Sequence, residues 1–295
     1  MSLSRERVYK TIKQEPVEDV VKGELIIEDN VIAKTLNKQS IGFEERYEFI
    51  RWLELDIVTI APLKKGNEIP QVSELVFPDL EKWAATSLFI FAILDGPFEV
   101  GLRFLGLNKF FSLLKKSPQE VLELVEKVEN TNRRKIKELA QRGINGVVLA
   151  DDIAFKQGLY VNPKFLREYF FPSYTRLVEE IKKQNLVAFF HSDGNYRQVL
   201  ADIIKAGFDG VHCLDRDSGM DIKETREEVG KALCLWGHLT VEDLKMAKHP
   251  ESREEVRSFA KKLSARGGFI LGTTTGIYDG LDLEGLALLY RREKD

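Results

Sequence analysis

Eight apolar runs recur along the chain, at residues 20–27, 55–61, 88–95, 146–152, 187–192, 210–214, 232–238 and 269–274. Each is rich in Val, Ile, Leu or Phe and lacks strict alternation with polar residues. A strand with one wet face alternates apolar and polar side chains, so these runs predict strands covered on both faces. Between the runs the apolar positions change to a helical period. Val121, Leu124, Val125 and Val128 share one helix face. Ser117-Pro118-Gln119-Glu120 predicts that helix's start as a capping box with proline at the first helical position, and Gly143 lies near its end. Asn162-Pro163 predicts the next start, for a helix carrying Phe165, Tyr169, Phe170 and Leu177 that Pro172 is expected to kink. Thr240 to Asp243 is a weaker cap, and Gly267-Gly268 closes the helix before the last run.

Eight strands alternating with helices through right-handed crossovers close into a (β/α)8 TIM barrel, an α/β fold with parallel strands. Such barrels run to about 250 residues as one domain, so the 295 residues are expected to form a single domain, 1–295. The alternative is an open doubly wound sheet. Its nucleotide-binding form needs a Gly-rich turn after the first strand, and none is present. An apolar fraction of 43% with 31% charged residues allows a large core under a soluble surface. The 44 Lys and Arg nearly balance the 47 Asp and Glu, for a net −3, so nothing sequence-wide points to nucleic acid. No apolar stretch reaches the ~18 residues of a membrane span, and the charged start MSLSRERVYKTIKQ has no signal-type apolar region. The cysteines are Cys213 and Cys234, each inside a strand-like run. That argues against a disulfide framework and fits a reducing cytoplasm, the expected localisation.

Acids, imidazoles and hydroxyls gather at the carboxyl ends of the runs. FIFAILDG ends at Asp95, GVVLADD at Asp152, VAFFHSDG at His191 and Asp193, GVHCLD at Asp215, ALCLWGH at His238, and GGFILGTTTG at Thr273 to Thr275. In a parallel barrel the strand carboxyl ends form one face, and that face carries the chemistry. The coincidence predicts a single mouth lined by acids and imidazoles.

His191-Ser-Asp193-Gly-Asn195 places an imidazole and a carboxylate two residues apart on a turn, where both could converge on one cation; zinc would need one or two further ligands. The plainer alternative is a histidine packed under the next loop and an aspartate capping the helix at Tyr196. Asp151 and Asp152 point in different directions, so at most one faces the mouth, with Asp152 favoured. Asp215 suits an ion pair as well as catalysis, with Arg216 beside it. His238 either donates to a substrate oxygen or bonds a neighbouring loop. His212 and Cys213 lie inside a strand and read as core side chains. Thr275, with Thr273 and Thr274, offers hydroxyls and amides to an anion, or simply ends a strand at Gly276. Arg103, just beyond Gly96-Pro97, is a candidate for a substrate carboxylate, although helix-surface arginines are usually solvated.

DDIAFKQGLYVNPKFLREYFFPSY, HSDGNYRQVLADIIKAGFDGVHCLD, the Gly-His pair before a capped helix at 237–244, and GGFILGTTTGI together resemble the uroporphyrinogen decarboxylase superfamily. The resemblance extends from RERVYKTIKQEPVEDV to the C-terminal helix. It implies one of two chemistries on one barrel. The first is cofactor-free decarboxylation of acetate side chains on a porphyrinogen. The second is methyl transfer between a methylated corrinoid and an acceptor, often coenzyme M. The decarboxylase pattern is not met. The family's Arg-Gln-Ala-Gly-Arg motif is replaced by GELIIEDNVIAK, its essential Asp by Thr59-Ile60-Ala61-Pro62, its Tyr by Arg103, and its last His falls near Thr275. A porphyrinogen's carboxylates also need basic groups around them, whereas the expected mouth is acidic. The methyltransferase pattern, a His-x-Cys zinc loop and a distant Cys, is half met: His191 is kept, while Asp193 and Thr275 stand at the Cys positions.

The resemblance therefore implies a corrinoid-linked methyltransferase, with His191 and Asp193 as metal ligands or, with Asp152, as acid/base groups. Asp95, Arg103, Asp215, His238 and Thr275 would hold substrate. A donor set without thiolate suits zinc less well than a harder divalent metal. The methylcobamide would arrive on a separate corrinoid protein, since no corrinoid-binding domain is evident. Neither nucleic acid nor membrane is expected as a partner, and the family's members are often homodimers. The alternatives are a uroporphyrinogen decarboxylase needing no cofactor, and a non-catalytic tetrapyrrole or corrinoid binder.

Overall fold

The computed structural model describes residues 3–63 and 71–292. Eight parallel strands follow the predicted runs: β1 (Val21–Lys22), β2 (Ile57–Ile60), β3 (Phe89–Asp95), β4 (Gly146–Ala150), β5 (Val187–His191), β6 (Gly210–His212), β7 (Cys234–Leu239) and β8 (Phe269–Thr273). They pair in the order β1-β8-β7-β6-β5-β4-β3-β2, with helices in every crossover. This is the (β/α)8 barrel that the alternation predicts. Among the described residues, no helix is long and apolar enough to cross a membrane.

The unbroken apolar runs are explained by burial on both faces. Phe89, Phe91 and Ile93 of β3 pack inside the barrel with Phe189 and Trp236. Ile90, Ala92 and Leu94 of the same strand face outward into the core beneath the helices. Inside, the Phe91 ring lies 5.1 Å from Phe189 and 5.6 Å from Trp236. Rings this large fit because glycine stands opposite them. A Cβ at Gly146 would fall 2.5 Å from the Phe91 ring, and one at Gly210 would fall 2.4 Å from Phe189. The buried Trp236 Nε1–H donates to the Gly23 carbonyl at 3.0 Å, so the indole carries no orphaned donor. Helix Leu3–Ile12 adds Val8 and Ile12 to this cluster at the amino-terminal end of the strands.

The barrel closes differently between β1 and β2, where no strand ladder forms. The Asp56 N–H donates to the Lys22 carbonyl at 2.8 Å. The Asp56 carboxylate accepts from the Lys22 N–H at 3.0 Å and from the Ser4 hydroxyl at 3.0 Å, and it pairs with Arg7. Further up the seam, Thr59 Oγ1 donates to the Glu24 carbonyl at 2.9 Å. The two strands approach closely only because residue 23 is glycine, since a Cβ there would lie 2.8 Å from Cβ of Ile57.

Three of the predicted helix boundaries are modified. Helix Pro118–Gln141 starts as expected, but Ser117 makes no side-chain cap, so the predicted capping box there is absent. The box forms instead at Thr240 and Asp243, which cap helix Val241–Met246 reciprocally, stronger than the sequence suggests. At Pro172 the chain breaks rather than kinks. Helix Pro163–Tyr169, capped by Asn162, ends, and helix Phe171–Lys183 starts with Pro172 in its first turn, where the missing N–H costs nothing.

Candidate active site

Strands β4, β5 and β6 end at one level. Ala150 lies opposite His191, and His191 opposite His212. That register sets the acids after β4 beside the imidazole of β5, and the imidazole of β5 beside that of β6. His191 Nδ1 is 2.8 Å from His212 Nδ1. On its other side, His191 Nε2 is 3.8 Å from Asp152 Oδ1 and 3.9 Å from Asp193 Oδ1. The Asp193 N–H donates to Asp152 Oδ1 at 2.9 Å. One donor atom each from Asp152, His191 and Asp193 all lie within 4.8 Å of one another.

The turn carrying His191 and Asp193 is held by its backbone. Ser192 Oγ accepts from the Ile153 N–H at 3.1 Å, and the Asn195 N–H donates to the Phe155 carbonyl at 2.9 Å. Gly194 has φ 78° and lies against the Phe155 backbone, where a Cβ would come within 2.6 Å. Phe155 belongs to a two-stranded hairpin, Ala154–Phe155 with Gly158–Leu159, that follows β4. Both the left-handed turn and the close approach therefore require glycine.

A cavity of about 390 Å³ opens beside this group, lined by His191, Asp193, Gly194, His212, Cys213, Asp215 and Ser218, with Leu25, Ile26 and Thr274 to Gly276 completing its wall. Its charged lining is acidic. Asp215 Oδ2 accepts from Ser218 Oγ at 2.6 Å and Oδ1 from the Asp217 N–H at 3.0 Å, which fixes the carboxylate at the wall. Cys213 has φ 57°, and its thiol donates to the Thr274 carbonyl at 3.2 Å. Burial, then the negative charge of Asp193, pushes that thiol well above its ordinary pKa, so it stays protonated. Burial likewise pushes His212 well below the ordinary histidine range, with His191 adding to the effect.

The predicted site residues divide into two groups. Asp152, His191, Asp193, Asp215 and Thr275 converge on one mouth. Asp95, Arg103 and His238 do not reach it, which corrects the expectation of a single mouth for every strand end. Asp95 Oδ2 lies 2.7 Å from Arg103 Nη1, and Arg103 also faces Glu99 at 3.6 Å, so the two proposed substrate contacts face each other. At the end of β7, Gly237 at φ 134° and His238 at φ 95° turn the imidazole into a second cleft of about 220 Å³, beside Arg216, Asp243 and Phe259. Burial pushes His238 down to about 4, so the ring is neutral. Arg216, next to the mouth in sequence, pairs with Asp243 at 3.1 Å. Thr273, part of the hydroxyl cluster after β8, instead donates to buried Glu24 at 2.6 Å.

His212 is the residue that sequence reasoning placed in the core. It is 1% exposed, which agrees, yet it lines the cavity and touches His191. Both histidines end their strands, and the parallel register sets them opposite each other.

Residues 58–294 match the sequence profile of a family described as uroporphyrinogen decarboxylase (URO-D). No curated protein matches the chain. Among solved structures, a methyltransferase from Methanosarcina mazei aligns with a TM-score of 0.72 at 14% identity, over 98% of this chain and 97% of that one. The spore cortex-lytic enzyme SleL of Bacillus megaterium aligns with a TM-score of 0.50 at 10% identity, over 94% of this chain and 76% of that one. At such identities the likeness is one of fold.

Proposed function

The chain belongs to the uroporphyrinogen decarboxylase family, and from that membership we propose that it acts as a methyltransferase rather than a decarboxylase. It would move a methyl group between a methylated corrinoid, carried by a separate protein, and a small acceptor. The observation that carries the reading is the donor set of Asp152, His191 and Asp193 at the mouth, within 4.8 Å of one another. The Methanosarcina mazei methyltransferase has the same overall fold and lends support.

Two carboxylate oxygens and an imidazole nitrogen suit zinc or a harder divalent ion. The carboxylate oxygens stand 3.8 and 3.9 Å from His191 Nε2, too far for a hydrogen bond and close enough to share a cation. Such an ion, when bound, would lower the pKa of an acceptor thiol or hydroxyl. Asp152, His191 and Asp193 would hold it, and the backbone-anchored turn keeps His191 and Asp193 in place. Cys213 stays protonated and leaves the acceptor's own thiol as the nucleophile. Asp215 and Thr275 face the cavity and would orient the acceptor. Decarboxylation of a poly-carboxylate substrate fits poorly, because Asp193 and Asp215 would repel it in a partly enclosed cleft.

Elemental analysis of wild type and His191→Ala, followed by methylcobalamin demethylation with thiol and amine acceptors, tests the reading. Near-stoichiometric divalent metal, lost in the variant, and acceptor-dependent demethylation are expected. Conversion of uroporphyrinogen to coproporphyrinogen would overturn the reading. Tight corrinoid binding without turnover, unchanged in His191→Ala, would identify a non-catalytic binder instead.

A further inference from the structure

We propose that His212 is a positioning residue for His191: it accepts the His191 Nδ1–H and so turns the lone pair of His191 Nε2 toward Asp152 and Asp193. The hydrogen bond stands on geometry alone. The direction of its proton, and the consequence for a cation, rest on the metal-centre reading above.

The two Nδ1 atoms are 2.8 Å apart. At that distance one proton must lie between them, because two N–H groups would collide and two lone pairs would repel. If His212 donated, His191 would carry its proton on Nε2, where it would close the one nitrogen that faces both carboxylates. In either arrangement His212 Nε2 is buried and meets no hydrogen-bond partner among the described residues, so it does not decide the direction. If His191 donates, His212 carries its proton on Nε2. The second arrangement leaves the lone pair of His191 Nε2 open to a cation shared with Asp152 and Asp193.

The His212 ring is held well enough to dictate direction. It lies between His191 at 4.9 Å and Trp236 at 5.0 Å, centroid to centroid, and the Trp236 indole is itself tied to Gly23. Metal-binding histidines are commonly oriented through their second nitrogen, usually by a carboxylate or carbonyl. A neutral imidazole in that role adds no further negative charge to a mouth that already holds Asp152, Asp193 and Asp215.

Side-chain ¹⁵N NMR of the zinc-free full chain reads the proton positions directly. Zinc titration by calorimetry then compares wild type, His212→Leu and His212→Gln. The expected wild type has its proton on Nδ1 of His191 and on Nε2 of His212. His212→Leu should lose affinity for zinc about 10- to 100-fold and move the His191 proton to Nε2. His212→Gln keeps a side-chain oxygen as acceptor and should recover most of the affinity, which a purely structural role would not predict. A wild-type His191 protonated on Nε2, or a folded His212→Leu that binds zinc like wild type, would overturn the proposal. Should His212→Leu not fold, the wild-type tautomers and the Gln variant decide. A wild type that takes up no zinc yet shows Nδ1–H on His191 supports the positioning role and sinks the metal reading alone.

Discussion

Asp151 and Asp152 are neighbours in sequence with opposite destinations. Asp151 is fully buried and accepts from the Tyr174 hydroxyl at 2.6 Å and from the Phe98 and Glu99 N–H groups that open helix Pro97–Leu105. Asp152 is partly exposed and faces His191. One acid builds the wall and the other lines the mouth. Gly96 makes this packing feasible, because a Cβ there would fall 2.2 Å from Asp151 Oδ2.

Asp151→Ala and Asp152→Asn should therefore separate stability from ligand binding. The first strands a buried hydroxyl and two helix-start N–H groups, each costing about 1–3 kcal/mol. A loss of about 3 kcal/mol or more in urea unfolding is expected. The second should stay within about 1 kcal/mol of wild type while metal content drops. Equal stability losses in the two would refute the division.

Stability should also fall as pH rises through neutrality. Burial pushes Glu24 up to about 7 and Asp151 up to about 8. In the unfolded chain both ionise near pH 4. Between there and the raised values the native state binds protons that the unfolded state has released, so unfolding becomes easier as pH climbs. The slope approaches about 1.4 kcal/mol per pH unit for each group and flattens above pH ~8. Glu24→Gln keeps an acceptor for Thr273 and Tyr290 and should flatten the profile between pH 5 and 7 by one proton's share. Parallel profiles for wild type and variant would argue against a protonated Glu24.

Much of this was legible in the sequence, and the failures have physical reasons. The strands announce themselves because both faces are buried, so polar residues do not alternate along them. His191 and Asp193 stand out because a turn sits at a strand end. His212 was hidden because its direction depends on the β5–β6 register, which neither strand reveals alone. The outward turn of His238 depends on left-handed backbone at two consecutive residues, and sequence marks only the glycine. The pairing of Asp95 with Arg103 needs the exact angle at which a helix leaves β3. Ser117 lost its cap because its backbone, at φ −139° and ψ 65°, aims the hydroxyl away from the helix amides.

That last contrast gives a simple test of helix capping. Thr240→Ala removes a reciprocal box and a contact to Arg216, and about 1 kcal/mol of stability should go with it. Ser117→Ala should change thermal stability little, within about 0.5 kcal/mol. A Ser117 effect as large as that of Thr240 would mean that its hydroxyl caps the helix in solution.

Both cysteines should resist alkylation. Cys213 and Cys234 are buried free thiols, and burial raises the pKa of each. Thiol titration at neutral pH should find essentially no reactive group in the native protein and both after denaturation. Rapid labelling of Cys213 alone would show that the mouth opens more widely than its packing suggests.

The seam between β1 and β2 bears on how this protein would fail. A barrel closed by a full ladder has no strand edges to offer another chain. Here one junction is fastened like a clasp, by Asp56, Thr59 and the contact of Gly23 with Ile57. If the clasp parts, two edges become free together while most of the interior is still packed. Damage at Asp56 would then appear first as chains sticking to one another edge to edge, and only later as loss of the core.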